Sequence, residues 1–284
     1  MVRLLLMKLI RINLQKIYLL NSCSLLVSTY NRPEALGLCL KTVAQQTILP
    51  AEVVIADDGS TEETANLIKN IQKDFPVPIK HAWHPDEGFR AAAIRNKGIA
   101  LCTQDYIVQI DGDIIIHPKF IADHLEMKTP GYFIVGSRVM LSSEQTARLM
   151  KQGFVDFKKL SREKFAFNGL RNRFLRTQLA RLYKTKGKHE FYAKGANIAF
   201  YKEDVVRING YNEAFVGWGS EDREVAIRLM NAGVKKLSIK MGAVCYHLYH
   251  KLNERNNELH NEELMHEAID KKLVWPMDGL DKYL

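Results

Sequence analysis

The chain contains, at residues 106–113, the stretch Tyr106-Ile107-Val108-Gln109-Ile110-Asp111-Gly112-Asp113. Its apolar part predicts a buried strand, which the acidic turn ends abruptly. The turn sets two carboxylates at one side of the strand end, and Mg²⁺ and Mn²⁺ prefer oxygen ligands of this kind. A polar turn after a buried strand has the same composition, so this stretch alone fits both a metal site and an ordinary turn.

The residues upstream repeat this alternation of apolar runs and polar turns. Further strands are predicted at Cys23–Ser28, Val53–Ala56 and Ile79–Trp83, and the segments between them have the apolar spacing of helices. Ser60, with Glu63 three residues later, predicts a capping box at the start of the second helix. The alternation predicts an α/β fold with a mainly parallel central sheet that helices flank on both faces.

Acidic residues follow two of the predicted strands directly. Asp57 and Asp58 come after the second strand, and Asp111 and Asp113 come after the fourth. Ligands of open parallel sheets bind beyond the carboxyl ends of the strands. Beside a nucleotide, a carboxylate there can accept a hydrogen bond from a base N–H or a ribose hydroxyl.

The carboxyl-terminal half contains a second unusual cluster, Gly217-Trp218-Gly219-Ser220-Glu221-Asp222. Two glycines let the backbone approach a ligand closely, and the indole between them offers a flat face for a sugar ring. Ser220 is predicted to cap a helix from Glu221 to about Asn231. The helix dipole also favours acidic residues at a helix start, which is the structural alternative.

Two histidines follow the last predicted strand, Val244–Tyr246. His247 stands at its end and His250 three residues later. A histidine in this position is commonly structural, but it can also complete a metal site that begins with the two aspartates.

Composition and charge limit the classes of protein. The 284 residues are 46% hydrophobic, which suits one large α/β domain and excludes a disordered chain. The net charge of +9 favours anionic partners: nucleotide phosphates, nucleic acid or an anionic membrane. Residues 158–188 hold eleven Lys or Arg and one Glu among spaced Leu and Phe. This basic segment is predicted either to seat the protein on an anionic membrane or to form a solvated basic helix.

The four cysteines have neither zinc-site nor disulfide spacing, which favours the reducing cytoplasm. The first 22 residues are apolar but carry Arg3, Lys8, Arg11 and Lys16, so no charge-free run is long enough to span a bilayer. We therefore expect a cytoplasmic protein, peripheral at the inner face of the plasma membrane.

Six motifs follow one another along the chain in the same order as in a known enzyme family. They are Val27-Ser28-Thr29-Tyr30-Asn31-Arg32-Pro33, Val54-Ile55-Ala56-Asp57-Asp58-Gly59-Ser60, Gly88-Phe89-Arg90, Arg95-Asn96-Lys97-Gly98, Gln109-Ile110-Asp111-Gly112-Asp113 and Lys194-Gly195-Ala196-Asn197. Together they resemble the family 2 glycosyltransferases, which have the GT-A nucleotide-diphospho-sugar transferase fold, a Rossmann-like α/β fold. From Lys194 to Asp222 the sequence is similar to the carboxyl-terminal module of β-1,4-galactosyltransferases and chondroitin-polymerase-type enzymes.

The resemblance, over residues 23–250, implies an inverting, metal-dependent glycosyltransferase. Such an enzyme would move a hexose or N-acetylhexosamine from a UDP-sugar to a glycan or lipid-linked glycan acceptor in surface polysaccharide biosynthesis, such as lipopolysaccharide or capsule. It divides the chain into an extension (1–22), a nucleotide-sugar half (23–140), a basic helical insertion (141–190), an acceptor half (191–250) and a helical tail (251–284). Nucleic acid is not expected as a partner.

The resemblance also implies residue roles. Asp222 would be the catalytic base, with Glu221 as a sugar-binding carboxylate, and Mn²⁺ or Mg²⁺ would bind Asp111, Asp113 and His247. The nucleotide-sugar would be held by Ser28, Tyr30, Asn31, Arg32, Asp58, Arg90, Arg95, Asp111, Gly112, Asn197 and Trp218. Val244 stands where galactosyltransferases have a methionine ligand, and His250 competes with His247 for the metal role.

Two alternatives stay open from the sequence. A sugar nucleotidyltransferase also uses an α/β nucleotide-binding domain, but it generally has a glycine-rich loop at the first strand, and residues 28–34 contain no glycine. The basic segment alternatively suggests a protein that binds polyanions or nucleic acid.

Overall fold

The computed structural model describes residues 22–160, 169–183, 187–251 and 257–284. The expected extension therefore lies outside the described residues, except for Ser22. The first half alternates strands with helices: β1 (Ser24–Thr29), α1 (Pro33–Ala44), β2 (Glu52–Asp57), α2 (Glu62–Gln72), β3 (Ile79–Trp83), α3 (Ala91–Leu101), β4 (Tyr106–Asp111), β5 (Ile114–Ile116), α4 (Phe120–Met127), β6 (Tyr132–Gly136) and β7 (Val139–Met140).

The rest of the chain is richer in helices. It contains α5 (Ser143–Gln152), α6 (Phe157–Leu160), α7 (Arg173–Leu179), β8 (Ile198–Tyr201), α8 (Lys202–Arg207), α9 (Glu221–Asn231), β9 (Lys235–Ile239), β10 (Cys245–His247) and α10 (Glu258–Asp270). Short 3₁₀ turns lie at Gly187–His189, Gly195–Asn197 and Leu280–Tyr283.

The described strands form a central seven-stranded sheet in the order β3-β2-β1-β4-β8-β6-β9. The pairs β3–β2, β2–β1, β1–β4 and β6–β9 are parallel, whereas β8 runs antiparallel to β4 and β6. The mainly parallel sheet confirms the predicted α/β fold. Strand β8 comes from the predicted acceptor half, so both halves share one sheet.

The sheet is buried on both faces because its strands are apolar at successive positions. In β1, Leu25 and Val27 pack into the core beneath α1, while Leu26 between them points to the opposite core with Val54 and Ile94. On that second face α3 comes very close to the sheet. A Cβ at Gly98 would lie 2.5 Å from the Leu26 side chain, so glycine permits this contact.

A smaller sheet, in the order β5-β10-β7, lies next to the end of β4. Strand β10 pairs antiparallel with β5, with His247 opposite Ile114, and parallel with β7. The Leu248 N–H donates to the Asp113 carbonyl over 3.0 Å. This pairing brings the histidines from near the carboxyl end of the chain beside the acidic turn after β4.

Two predicted helix caps are wrong. Helix α2 begins after Thr61, and the Ser60 hydroxyl instead accepts the Asn31 N–H over 2.8 Å. Ser220 does occupy the N-cap position of α9, but its φ of 67° is left-handed and its side chain makes no capping bond. Ser60 is thus used in a contact between two loops, and Ser220 lies in a left-handed turn, so neither side chain caps its helix.

The four cysteines are free and buried. Burial raises the pKa of Cys23, Cys102 and Cys245 to about 12, so these thiols are packing residues and poor nucleophiles. Within the described ranges, none of the helices has the length and apolarity needed to cross a membrane.

Candidate active site

The carboxyl ends of β1, β2 and β4 meet at one edge of the sheet, as predicted. The strand register sets Ser28 beside Asp111 and Thr29 beside Asp57. The Ser28 hydroxyl donates to Asp111 Oδ1 over 3.1 Å, and the Gly112 N–H donates to the Ser28 carbonyl over 2.6 Å. Adjacent parallel strands thus bring residues that are distant in sequence into one polar edge.

Asp58 is a buried carboxylate at this edge, 5% exposed. Its Oδ2 accepts the Arg90 N–H over 2.9 Å, and His84 Nε2 lies 2.7 Å from its Oδ1. Burial raises the pKa of Asp58, and the hydrogen bonds from His84 and Arg90 oppose that rise. The carboxylate is therefore fixed in direction.

Tyr30 lies at the same edge with 44% of its surface exposed. Its hydroxyl donates to Asp86 Oδ2 over 2.7 Å, and this bond raises the pKa of Tyr30. The Asp86 segment packs tightly on the turn after β2, where a Cβ at Gly59 would lie 2.5 Å from the Asp86 Cα. Tyr30 is thus held at its hydroxyl and offers its ring for stacking.

Asn31 and Arg32 follow Tyr30 but have different partners. Asn31, with a left-handed φ of 45°, accepts the Thr61 N–H at its side chain over 2.9 Å and so ties the β1 and β2 loops together. Arg32 reaches across the edge, and its Nη1 lies 2.6 Å from Asp113 Oδ2.

Asp113, His247 and His250 form a cluster whose ligand atoms all lie within 4.8 Å of one another. His247 Nε2 is 3.6 Å from Asp113 Oδ1, and His250 Nε2 is 3.4 Å from Asp113 Oδ2. Asp111, which the resemblance implied as a further ligand, is not one of the three; its Oδ1 faces the Ser28 hydroxyl and Arg95 instead. Both histidines, which the sequence left as alternatives, face the same aspartate.

The donor set of this cluster fits a divalent cation. The Nδ1 atoms of His247 and His250 lie 2.9 and 2.7 Å from the Leu248 and Lys251 carbonyls. A carbonyl only accepts, so each Nδ1 is the donor in these bonds, which leaves each Nε2 facing Asp113 as the ring atom that can bind a metal. Asp113 Oδ1 is buried without a hydrogen-bond partner among the described residues. Burial also lowers the pKa of His247, which favours the neutral, ligating form.

Arg95 connects the acidic turn after β4 to the start of α9. Its side chain is 6% exposed and lies 3.0 Å from Glu221, 3.1 Å from Asp222 and 3.6 Å from Asp111. The Tyr211 ring packs against the guanidinium, with its centre 5.3 Å from Arg95 Cζ. One buried cation thus compensates three carboxylates that would otherwise repel one another.

The two carboxylates that begin α9 have different surroundings. Asp222 Oδ2 accepts the Gly195 N–H over 2.6 Å, and a Cβ at Gly195 would lie 2.5 Å from Asp222 Oδ1. Burial and the charge of Asp222 raise the pKa of Glu221, and Arg95 opposes both effects. Asp222 is fixed by the backbone, whereas Glu221 depends on Arg95 for its charge.

Trp218 belongs to a loop that the fold holds at both ends. The Gly217 N–H donates to the Phe89 carbonyl over 2.9 Å, next to Arg90. Asn261 of α10 donates to the Trp218 carbonyl over 3.4 Å. The half-buried indole therefore lies between the polar edge of the sheet and the helical tail.

Asn197 differs from its predicted role. It is 1% exposed, its amide donates to the Ser137 and Ala243 carbonyls over 3.0 and 3.1 Å, and His124 Nε2 lies 3.0 Å from its oxygen. All its polar atoms are used within the protein, so its side chain joins buried loops and has no atom left for a nucleotide-sugar.

The sequence interpretation missed His84 and Asp86. Both follow β3, whose carboxyl end lies at the same edge as the ends of β1 and β2. The rule that pointed to the acidic clusters after β2 and β4 applies equally to the residues after β3, and it would have found them.

Comparisons with known proteins agree with the fold and with the family resemblance. The family model for glycosyl transferase family 2 matches residues 24–200, and a model described as the N-terminal domain of galactosyltransferase matches residues 177–251. The chain is 27% identical to chondroitin synthase of Escherichia coli over 82% of its own length, and 29% identical to hyaluronan synthase of Pasteurella multocida over 79%. It spans only 35% and 24% of those two proteins.

Solved structures share the fold at low sequence identity. Staphylococcus aureus TarS in complex with UDP-GlcNAc has a TM-score of 0.61 and 12% identity, over 92% of this chain and 69% of that one. GalNAc-T7 with UDP, GalNAc and Mn²⁺ also has a TM-score of 0.61, with 17% identity over 87% of this chain and 48% of that one.

Proposed function

Because the chain belongs to glycosyl transferase family 2, we propose that it transfers a hexose or N-acetylhexosamine from a UDP-sugar to a glycan acceptor. One observation carries the proposal: the Asp113–His247–His250 cluster and the Glu221–Asp222 pair lie on either side of Arg95 and Asp111. Glycosyl transfer needs two separate acidic sites, one for the departing diphosphate and one for the incoming hydroxyl.

The donor nucleotide lies along the edge formed by β1 and β2. Asp58, fixed by His84 and the Arg90 N–H, accepts a hydrogen bond from the uracil or the ribose, and the exposed Tyr30 ring stacks on the base. Arg32 and Arg90 supply positive charge for the diphosphate. A UDP donor is supported by the nucleotides bound to TarS and GalNAc-T7, which share the fold.

Asp113, His247 and His250 would hold Mn²⁺ or Mg²⁺ in this proposal, with the two Nε2 atoms and both oxygens of the Asp113 carboxylate as possible ligands. The cation neutralises the charge that develops on the diphosphate. Two imidazoles beside one carboxylate suit Mn²⁺ better than Mg²⁺, which prefers oxygen ligands.

Asp222 accepts the proton of the acceptor hydroxyl as that oxygen attacks the anomeric carbon. Attack from the face opposite the diphosphate makes transfer a single displacement, which inverts the anomeric configuration. The Gly195 N–H fixes the direction of the Asp222 carboxylate, and Glu221 and Trp218 bind the sugars. Arg95 orients both carboxylates without touching the reacting atoms.

We also propose that the acceptor is a lipid-linked glycan of a surface polysaccharide, and that the protein works at the inner face of the plasma membrane. Exposed apolar side chains in the described part of the basic segment support a membrane contact: Leu170, Phe174, Leu175 and Leu182. Arg171 and Arg176 pair with Asp123, so part of the positive charge serves the fold. The exposed Lys158, Lys159 and Arg181 supply charge towards anionic lipid.

The proposal is tested with a panel of UDP-sugars and Mn²⁺, scoring slow UDP release with water as acceptor. Release from one donor, lost on removing the cation, supports glycosyl transfer. A sugar nucleotidyltransferase would instead release pyrophosphate from a sugar phosphate and UTP. A polyanion-binding protein would show salt-sensitive binding of DNA or RNA and no affinity for UDP.

The cation site is tested by calorimetry of UDP binding to the Asp113→Ala variant. Mn²⁺ should tighten UDP binding to the wild type but not to the variant, because the variant loses the carboxylate that both histidines face. If Mn²⁺ tightens UDP binding to the variant as much as to the wild type, this cluster does not hold the cation.

A further inference from the structure

Arg32 occupies one of the oxygens that the proposed cation needs. It lies at the N-cap position of α1, directly after β1, and its Nη1 is 2.6 Å from Asp113 Oδ2. The same oxygen faces His250 Nε2 at 3.4 Å. A divalent cation bound between His250 and this oxygen would lie close to the guanidinium, and the repulsion between the two positive charges disfavours binding both at once.

The surrounding charges make this contact easy to exchange. Arg95 is committed to Asp111, Glu221 and Asp222, so Arg32 supplies a permanent positive charge in direct contact with Asp113. The Arg32 side chain is 34% exposed, whereas Asp113 is 11% exposed. A long side chain that is one-third exposed moves away at little cost, but the buried carboxylate keeps its need for a cation.

We propose that Arg32 is an exchangeable counter-ion that competes with the divalent cation for Asp113. When the cation displaces it, the guanidinium is released at the nucleotide edge, beside Tyr30 and Asn31, where a diphosphate can take it up. Diphosphate binding then favours cation binding beyond their direct attraction, because the nucleotide stabilises the displaced arginine. The inference rests on the proposed function for its anionic ligand, but competition for Asp113 does not depend on catalysis.

The first test measures Mn²⁺ binding to the protein without nucleotide, by the electron paramagnetic resonance signal of free Mn²⁺. Arg32→Gln should bind Mn²⁺ about five- to tenfold more tightly than the wild type, because an opposing charge-assisted hydrogen bond no longer has to be broken. Arg32→Lys keeps the charge and should stay near the wild type. Arg207→Gln is the matched control, since it removes the same charge from an ion pair with Asp204 on its own helix.

The second test compares UDP affinity with and without Mn²⁺ in the wild type and in Arg32→Gln. The factor by which Mn²⁺ tightens UDP should be smaller in the variant, because its cation site is open before the nucleotide arrives. Mn²⁺ affinity that is unchanged or weaker in Arg32→Gln overturns the inference. If Asp113→Ala also leaves Mn²⁺ binding unaltered, the cation site itself is wrong, which separates failure of the proposed function from failure of the role of Arg32.

Discussion

Arg95 should be the residue on which the stability of the active site depends most. Replacement by methionine keeps an unbranched side chain of similar length but removes the charge that faces Glu221, Asp222 and Asp111. Removing one partner of a buried ion pair costs about 3–5 kcal/mol, because the remaining charge is left uncompensated. We expect Arg95→Met to lower the free energy of unfolding by that amount near neutral pH.

The loss of unfolding free energy in Arg95→Met should depend on pH, because the pKa of Glu221 is shifted. Burial and the charge of Asp222 raise its pKa above the ordinary value of 4.5. A carboxyl whose folded-state pKa is raised stabilises the fold below its unfolded pKa, and this contribution is lost as the pH rises through the folded value. Arg95→Met removes the charge that opposes the rise, so the pKa increases further. The variant should therefore lose more stability at about pH 8 than at about pH 5.

Urea unfolding followed by tryptophan fluorescence measures both effects. Arg207→Met is the matched control, because its arginine is more than half exposed and pairs only with Asp204 among the described residues; it should cost less than about 1 kcal/mol. Adding Glu221→Gln to Arg95→Met should restore about 1–2 kcal/mol at high pH, since it removes one uncompensated charge. A loss in Arg95→Met no larger than in the control, and equal at both pH values, would refute the compensation described here.

Two further predictions concern the catalytic pair and the membrane. Asp222→Asn should lower turnover about 10²–10⁴-fold with UDP-sugar affinity nearly unchanged, because the amide keeps the bond to Gly195 but cannot accept a proton. Glu221→Gln should change UDP-sugar affinity together with turnover. If Asp222→Asn instead keeps near-normal turnover and Glu221→Gln is inactive with intact binding, the two roles are exchanged. In vesicle flotation, the protein should rise with anionic but not with neutral lipid. Replacing Phe174 and Leu182 by serine should lower its recovery, whereas Leu259→Ser, an equally exposed leucine on α10, should not; equal recovery with both lipids would contradict the membrane contact.

The sequence carried enough information for the sheet and for one edge of the site. Asp58, Asp111 and Asp113 follow apolar runs, and the carboxyl ends of parallel strands necessarily meet. The alternation of apolar runs and acidic turns is therefore enough to predict that these carboxylates lie together. The metal role of His247 was implied instead by the family resemblance, and the pairing of β10 with β5 that brings it to Asp113 was not predicted, since nothing local in the sequence encodes it.

The features that could not be predicted from the sequence depend on contacts between distant segments. The capping predictions for Ser60 and Ser220 failed because each turn is held by another loop or by its left-handed backbone, neither of which a short motif reveals. Asn197 stands in a family motif, but a motif does not show whether its side chain faces a ligand or the interior. The shared partner of Asp111, Glu221 and Asp222 likewise appears only once α3 and α9 are packed together.

The position of β8 has a consequence for synthesis on the ribosome. Strand β6 leaves the ribosome well before β8, yet in the described sheet β6 is connected to β1–β4 only through β8, and β4 keeps an open edge until β8 arrives. Open strand edges are where nascent chains pair with one another, and pairing between distant segments is slow. The basic residues of 158–188 emerge during this interval, and like charges keep incomplete chains apart. We expect them to protect the growing chain from aggregation as well as to serve the finished enzyme.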